Sequence, residues 1–503
     1  MAGTAAGASG TGETGFQGAV DYNPVVRSDL ITQVTPRQDW RVTAVSIRYA
    51  KRLGRHALTV PPSTFEVSAT VGGQTAPRTV TRVYTNNAAR VDSERHTGKP
   101  GHYLIVELDP DDGGARAGDT DPFPLDRAYS LTQVADIRDR NGDVVLRAGP
   151  FAVLNDGVIN PVVDGFTAGS FTDSTGFRIR FRLYAPEGYV AAPRHGARYP
   201  LVVTLHGGGQ VADNNVTQLT SNRIAVAFAE PARQKRHPAF VLAPQIPLPR
   251  PMDGPDGTDW TDARVRAATV ELIDAFTTTH PVDESRIYLV GLSSGGRGIY
   301  DLLSRHPARF AAALPTAGWG STTAMAAITD VPIWADHSID DAVVLYKEGR
   351  FGSPGTWTLM NALEAAGATV TRGEWANNLP KPDFEARSRA LLRRARETGS
   401  HILFTSYTPG TTSPNAHLAW AQTYGKRRRH RLALRSGAIA RELVDRAGTR
   451  TARPAGTRPG QFALRQMAMA ADFTAARAAG VQVCCSSSAR AVAAMASSTI
   501  SPS

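Results

Sequence analysis

The sequence predicts two folded parts: an all-β sandwich of immunoglobulin-like type, then an α/β domain built on a doubly wound, mostly parallel sheet. Three observations carry this. Between about residues 25 and 155, short stretches alternate apolar and polar side chains and are separated by turns rich in Pro, Gly and Asp. Beyond about residue 178 the pattern changes to continuous apolar runs, among them Tyr199–His206, Ala239–Ala243 and Ile287–Val290, with helical stretches between them. The last of these runs passes into Gly291-Leu292-Ser293-Ser294-Gly295 and then an amphipathic stretch carrying Ile299, Leu302 and Leu303. That is strand, tight turn, helix, with a serine at the tip of the turn.

The chain has 503 residues, room for two or three domains and a large core. With 42% hydrophobic and 20% charged residues it reads as an ordinary globular protein. No apolar run approaches the roughly 18 residues of a membrane span, so no membrane partner is expected. Residues 1–20 are small and Gly/Ala-rich and read as disordered. They lack a basic and an apolar region, so they are not a signal peptide as they stand. Localisation is therefore left open between a cytoplasmic protein and one whose signal lay upstream.

A net charge of +11 invites a nucleic-acid partner, but its location argues against one. Residues 426–503 hold 14 of the 56 Lys and Arg and 3 of the 45 Asp and Glu, so the whole excess sits there. The two cysteines, Cys484 and Cys485, lie in the same stretch. The rest of the chain can form neither a disulfide framework nor a cysteine metal site.

Taken in order, residues 21–157 form the expected sandwich. Val45, Ile47 and Tyr49 alternate with polar residues, as do Phe65, Val67, Ala69 and Val71, and Leu104, Val106 and Leu108. Asn141-Gly142 between Val134–Ile137 and Val144–Leu146 signals a hairpin. The acidic loop Asp109-Pro-Asp-Asp-Gly113 departs from the EF-hand spacing and reads as a solvated turn, not a Ca²⁺ site.

Residues 158–425 form the α/β part. Arg178–Tyr184 alternates and reads as an antiparallel leading strand. Thr261 or Asp262 can cap a helix whose Val265, Thr269, Leu272 and Phe276 share one face. Phe310–Leu314, Val331–Trp334 and Ile402–Phe404 are further short strands. Residues 378–400, rich in Arg, read as an amphipathic helix inserted in the last βα unit, either a lid or a surface elaboration.

Four sites converge on one chemistry. In a strand–turn–helix frame, the glycines of Gly291-Leu-Ser-Ser-Gly295 permit a strained turn that lifts Ser293 clear of the sheet and leaves the Ser294 N–H at a helix start. His206-Gly207-Gly208-Gly209 follows an apolar strand, and N–H groups near Gly207 and Gly208 can join Ser294 in binding an oxyanion. The loop lacks the Lys-Ser/Thr of a phosphate-binding P-loop. A strand end and polar turn follow at Pro332–Val344, where Asp336, Asp340 and Asp341 are candidate acids. Asp336 falls within the strand, and Asp341 is the choice, with Asp340 next. Among the histidines, His417 follows the final strand and a Gly/Thr/Ser/Pro/Asn loop and is the candidate base. His337 reads as structural, and His401 begins a strand. The chain order Ser293, Asp341, His417 is that of α/β-hydrolases. Trp260, Trp319 and Trp420 are candidate substrate-pocket residues. No metal or cofactor is implied.

With these residues in hand, the sequence resembles the α/β-hydrolase esterases related to polyhydroxybutyrate depolymerases and feruloyl esterases, in the subgroup with an N-terminal immunoglobulin-like domain. The resemblance rests on Arg182-Leu-Tyr-Ala-Pro186, Tyr199–Gly207, Val241-Leu-Ala-Pro-Gln245, Gly291–Gly296, Ile333–Val344 and His417-Leu-Ala-Trp420. It covers about residues 178–424. The family's acid segment usually reads His-Gly-x-x-Asp-Pro-Val-Val; here Ser338 replaces the Gly and Ala342 the Pro, and the alignment still places the acid on Asp341. The family's histidine is followed three residues on by Trp, as His417 is by Trp420.

The resemblance stops after Tyr424. Such enzymes end in a helix containing Asp-Trp-Leu, whereas Lys426–Arg435 begins an Arg/Ala/Ser-rich stretch. Codons can be chosen for Lys426–Arg435 that, read one base later, encode Asn-Asp-Ala-Val-Ile-Asp-Trp-Leu-Phe. We therefore expect 426–503 to be a frameshifted tail, which the gene sequence around codon 425 decides.

The expected function is serine-dependent hydrolysis of a small-molecule or polymeric carboxylic ester, with no cofactor and the oligomeric state open. The alternatives are a prolyl-oligopeptidase-like peptidase, although 25–155 is too short for a β-propeller, and an inactive binding or scaffold protein.

Overall fold

The computed structural model describes residues 23–425 apart from short stretches at 36–38, 92–97, 118–126, 150–151, 155–156, 190–195 and 250–258. Residues 1–22 and the basic stretch 426–503, with its frameshift reading, lie outside the described residues.

The alternating stretches of the first part pair into two antiparallel-rich sheets. One runs in the order Gly157–Ile159, Val25–Val34, Trp40–Tyr49, Tyr103–Leu108, Val80–Asn86, Thr59–Val60, and the other Ala152–Leu154, Arg127–Gln133, Phe65–Val71, Gln74–Arg78. Val45, Ile47, Leu104 and Val106 of the first sheet share a core with Phe65, Val67 and Leu131 of the second. The hairpin forms as Ile137–Arg138 against Val144–Leu146, with Gly142 at φ +89°. The acidic loop is held by a buried cation. Arg78 donates Nε–H to Asp112 Oδ2 at 3.0 Å and Nη2–H to the Asp109 carbonyl at 2.8 Å, and Thr79 N–H donates to the same Asp112 oxygen at 2.7 Å.

The second part is one nine-stranded sheet. Its strands are β1 Phe166–Thr172, β2 Arg178–Tyr184, β3 Tyr199–Leu205, β4 Phe240–Gln245, β5 Val282–Leu292, β6 Ala312–Thr316, β7 Ile333–Ser338, β8 Val370–Trp375 and β9 Ile402–Tyr407. Their spatial order is β1-β2-β4-β3-β5-β6-β7-β9-β8. β2 is antiparallel to both neighbours, and β3 to β9 all run parallel.

Period-2 geometry explains the continuous apolar runs. In β3, Leu201, Val203 and Leu205 face one core and Val202 the other, so every position is covered. Helices α1 Ala263–Thr279, α2 Ser294–Arg305 and α3 Thr356–Ala365 cover the first face. Helix α4 Lys381–Glu397, the short α5 Ala419–Thr423 and the helical turns around 217–234 cover the second, whose core is continuous with that of the sandwich. Each buried Val, Leu or Ile contributes about 1.5–3 kcal/mol relative to exposure. Asp262, not Thr261, caps α1, its carboxylate accepting from the N–H of Arg264 at 2.9 Å.

One expectation needs correction. Residues 378–400 are not an insertion or a lid. They form the crossover helix α4 between two parallel strands, burying Phe384, Leu391, Leu392 and Ala395 against Trp375 and Leu403. The sequence hid this because β8, at the sheet edge, buries only Thr371 and Trp375 and reads as polar.

Candidate active site

β5 ends in the turn that carries Ser293. This residue sits at φ +51°, ψ −121°, a conformation that non-glycine residues adopt only when the surroundings force it. The surroundings are backbone. A Cβ on Gly291 would stand 2.5 Å from the carbonyl oxygen of Gly295, and a Cβ on Gly295 would stand 2.0 Å from that of Leu205. Only glycine lets α2 start this close to the end of β3. Ser293 N–H donates to the Thr316 carbonyl at 2.9 Å, which ties the turn to β6.

The loop after β3 lies against the elbow: a Cβ on Gly207 would be 3.5 Å from Ser293 Cβ. His206 fixes this loop. Its Nε2 accepts from Ile246 N–H at 3.1 Å, so the proton sits on Nδ1, which donates to the Gly207 carbonyl at 2.7 Å. The Gly207 N–H is committed elsewhere, to Gln210 Oε1 at 3.0 Å. Of the three expected oxyanion donors, Gly207 is thus the one whose N–H already has an acceptor within its own loop. Among the described residues, the N–H groups of Gly208 and Ser294 have no bonded acceptor.

Asp341 and His417 come from two later strand ends. Asp341 lies in the turn after β7, and His417 in the loop after β9. His417 Nδ1 is 2.8 Å from Asp341 Oδ2, and His417 Nε2 is 3.1 Å from Ser293 Oγ. In the neutral ring Nδ1–H donates to the carboxylate and Nε2 accepts from the serine hydroxyl. Asp341 is 3% exposed, and its other oxygen accepts from the N–H groups of Val343 and Val344 at 2.8 and 3.0 Å. Burial pushes this carboxyl up, but hydrogen bonds from His337 and His417 outweigh burial and hold it well below the usual carboxylate range.

The other candidate acids have different tasks. Asp336 lies within β7, fully buried, and accepts from Thr316 Oγ1 at 2.9 Å. Asp340 accepts from Gly410 N–H at 2.7 Å and so anchors the histidine loop. His401 Nε2 is 2.7 Å from the Thr329 carbonyl, away from Ser293.

The three tryptophans are all buried. Trp260 is 1% exposed and donates Nε1–H to the His206 carbonyl at 2.7 Å, so it braces the glycine loop from behind instead of lining an open pocket. Trp420 packs edge-on against His417 with ring centroids 4.9 Å apart. Trp319 meets Phe351 edge-on at 6.3 Å, and the Arg297 guanidinium lies 5.8 Å from its ring centre.

Residues 27–146 match the family described as esterase Ig-like N-terminal domain, and residues 179–350 match esterase PHB depolymerase. The chain thus carries an esterase Ig-like N-terminal domain followed by an esterase PHB depolymerase domain. A crystal structure of a thermostable esterase is similar to this chain with a TM-score of 0.61 and 28% identity, covering 81% of this chain and 99% of that one. The bifunctional acetylxylan esterase/xylanase XynS20E of Neocallimastix patriciarum is 29% identical over 161 residues, 32% of this chain. The match spans 22% of that curated relative's length. The esterase match includes Ser293 and Asp341 and ends at residue 350, before His417.

Sequence reasoning missed several residues of this site. Gln210 gave a faint signal, an amide three residues into a glycine loop. Asn377 and Thr412 gave none; Asn377 Nδ2–H donates to Thr412 Oγ1 at 3.2 Å and to the Ala419 carbonyl at 3.1 Å, closing the histidine loop. No described helix is long and apolar enough to cross a membrane.

Proposed function

We propose that the protein hydrolyses carboxylic esters, with Ser293 as nucleophile, His417 as general base and acid, and Asp341 as the group that orients His417. The observation that carries this is the chain of hydrogen bonds from Ser293 Oγ through His417 to Asp341, at 3.1 and 2.8 Å. Ser293 gives its proton to His417 Nε2 as its oxygen attacks the ester carbonyl carbon. The Asp341 carboxylate stabilises the imidazolium that results. The Gly208 and Ser294 N–H groups are the proposed donors to the tetrahedral oxygen, each such donor being worth about 10²–10³ in rate. Collapse expels the alcohol, protonated by His417, and leaves an acyl-serine. Water then attacks with His417 again as base, releasing the acid and restoring Ser293.

The segment after the Asp341 turn exposes three large apolar side chains, with Lys347 and Glu348 between them. Val343, Leu345 and Phe351 are 45%, 44% and 64% exposed. Phe351 is held at φ +51°, in a loop where a Cβ on Gly349 would lie 2.0 Å from the Ser353 carbonyl oxygen. A large exposed ring on strained backbone, in the segment that follows the Asp341 turn, favours an ester with an apolar or aromatic group. The curated relative is named for acetylxylan, so acetylated polysaccharide belongs with acyl and aryl esters in the substrate panel.

The test is turnover of p-nitrophenyl esters and a peptide anilide by wild type and Ser293→Ala. We expect ester cleavage by wild type, no peptide cleavage, and a loss of at least about 10³-fold in kcat for the variant. Peptide anilide cleavage would turn the reading to a peptidase. A folded wild type that a fluorophosphonate fails to label would turn it to a binding protein.

A further inference from the structure

We propose that His337 is a second, proton-bearing histidine of this site: a positioning residue that holds the Asp341 carboxylate and moderates its pull on His417. The inference rests on the triad reading above and deepens it.

The geometry begins at a shared atom. Asp341 Oδ2 is 2.8 Å from His417 Nδ1 and 3.0 Å from His337 Nε2. With the Val343 and Val344 N–H groups on Oδ1, the carboxylate faces four donors. His337 Nε2 is also 2.9 Å from the Val344 carbonyl oxygen. A ring nitrogen placed between two acceptors carries hydrogen.

The other end of the ring faces a third oxygen. His337 Nδ1 is 3.0 Å from Thr356 Oγ1, and Thr356 Oγ1 is 2.9 Å from the Gly318 carbonyl, to which it donates. A hydroxyl has one hydrogen. With that hydrogen on Gly318, Thr356 accepts from Nδ1–H and both ring nitrogens are donors. The site thus accommodates an imidazolium at His337, fully buried and paired with Asp341.

The remaining ionisable groups around this pair are accounted for. Asp336, adjacent on β7, points to the opposite face and binds Thr316. Asp340 is bound to Gly410 N–H. From α2 comes Tyr300, whose phenol is pushed up by burial; from the acid loop comes Tyr346, 5.7 Å ring to ring from His337 and also pushed up by burial. Both are neutral at ordinary pH. Arg372 and Glu374 act on the far side, at Tyr346, with opposite signs.

Two donors on one oxygen divide its charge. His417 Nδ1–H therefore faces a weaker acceptor than a carboxylate with His417 as its sole histidine partner, and the imidazolium form of His417 is less favoured at rest. Removal of the second donor strengthens the acceptor, favours imidazolium, and moves the acid limb of kcat/KM to higher pH.

The test compares His337→Gln, His337→Asn and His337→Leu. Gln can place an amide N–H near the Nε2 position and keep Asp341 partnered; Asn reaches only toward Thr356, and Leu donates nothing. We expect the acid limb to stay in place for H337Q and to rise by about 0.5–1 pH unit for H337N and H337L. Proton NMR gives a readout that does not need activity. Wild type and Ser293→Ala should show a low-field imidazole N–H signal from His337 beside that of His417, and H337N should lose the His337 signal. An unmoved acid limb in folded H337N, or a low-field imidazole spectrum that H337N leaves unchanged, overturns the proposal. Should Ser293→Ala retain turnover, the triad reading itself fails; should it be inactive while H337N keeps the wild-type limb, only the role of His337 fails.

Discussion

His417 Nδ1 stands 2.8 Å from Asp341 Oδ2 across 76 residues of chain. The contact is closed by a latch between the two loops that carry it. Asp340 accepts from Gly410 N–H at 2.7 Å, and Ser338 Oγ lies 2.8 Å from Thr412 Oγ1. Asn377 adds its two bonds to Thr412 and Ala419. The acid turn and the histidine loop are one mechanical unit.

Asn377→Ala opens that unit from below. Two buried bonds are lost, at a cost of about 1–3 kcal/mol, although Thr412 keeps Ser338 and the Ala419 carbonyl keeps Thr423. We expect a lower Tm and a fall in kcat of roughly 10-fold, with KM little changed. Thermal melts and Michaelis kinetics on one short-chain ester measure both.

Gly295→Ala tests the elbow. The new methyl would meet the Leu205 carbonyl oxygen at 2.0 Å, and backbone cannot swing aside as a side chain does. We expect about 1–3 kcal/mol of destabilisation and near-complete loss of fluorophosphonate labelling. A variant that labels at the wild-type rate would show that the contact is not needed.

The elbow was legible because a strained turn must be written in glycine, and glycine is visible in a sequence. Asp341 and His417 were legible by position after a strand. Two features were not. β8 is an edge strand with alternate side chains in water, so its apolar signal is weak. Gly207 was assigned an oxyanion role because glycines permit close approach; the capture of its N–H by Gln210 depends on a side-chain rotamer that composition does not reveal. His337 read as structural for the same reason: its ring reaches Asp341 only once the turn is built.

Asp341 fixes a pH signature. Its folded pKa is depressed, so its stabilisation is fully present above the ordinary carboxylate value near 4 and is lost as pH falls below it toward the folded value. Asp341→Asn should melt below wild type at pH 7, with the gap narrowing below about pH 4. Melts of both proteins from pH 3 to 8 give the curve.

Phe351→Gly separates binding from folding. Glycine relieves a left-handed backbone conformation that costs a side-chain-bearing residue about 1–2 kcal/mol. We expect an unchanged or higher Tm together with a KM raised several-fold for aryl and long-chain esters and unmoved for acetyl esters.

The contact between Gly295 and the end of β3 has a consequence for how such a site can change over time. The start of α2 and the strand that launches the glycine loop touch backbone to backbone. The spacing between Ser293 and the N–H groups proposed as oxyanion donors is thus set by peptide dimensions, a ruler that drift in neighbouring side chains does not stretch. Selection can rewrite the segment at Val343, Leu345 and Phe351 for a new ester while the reacting geometry stays constant.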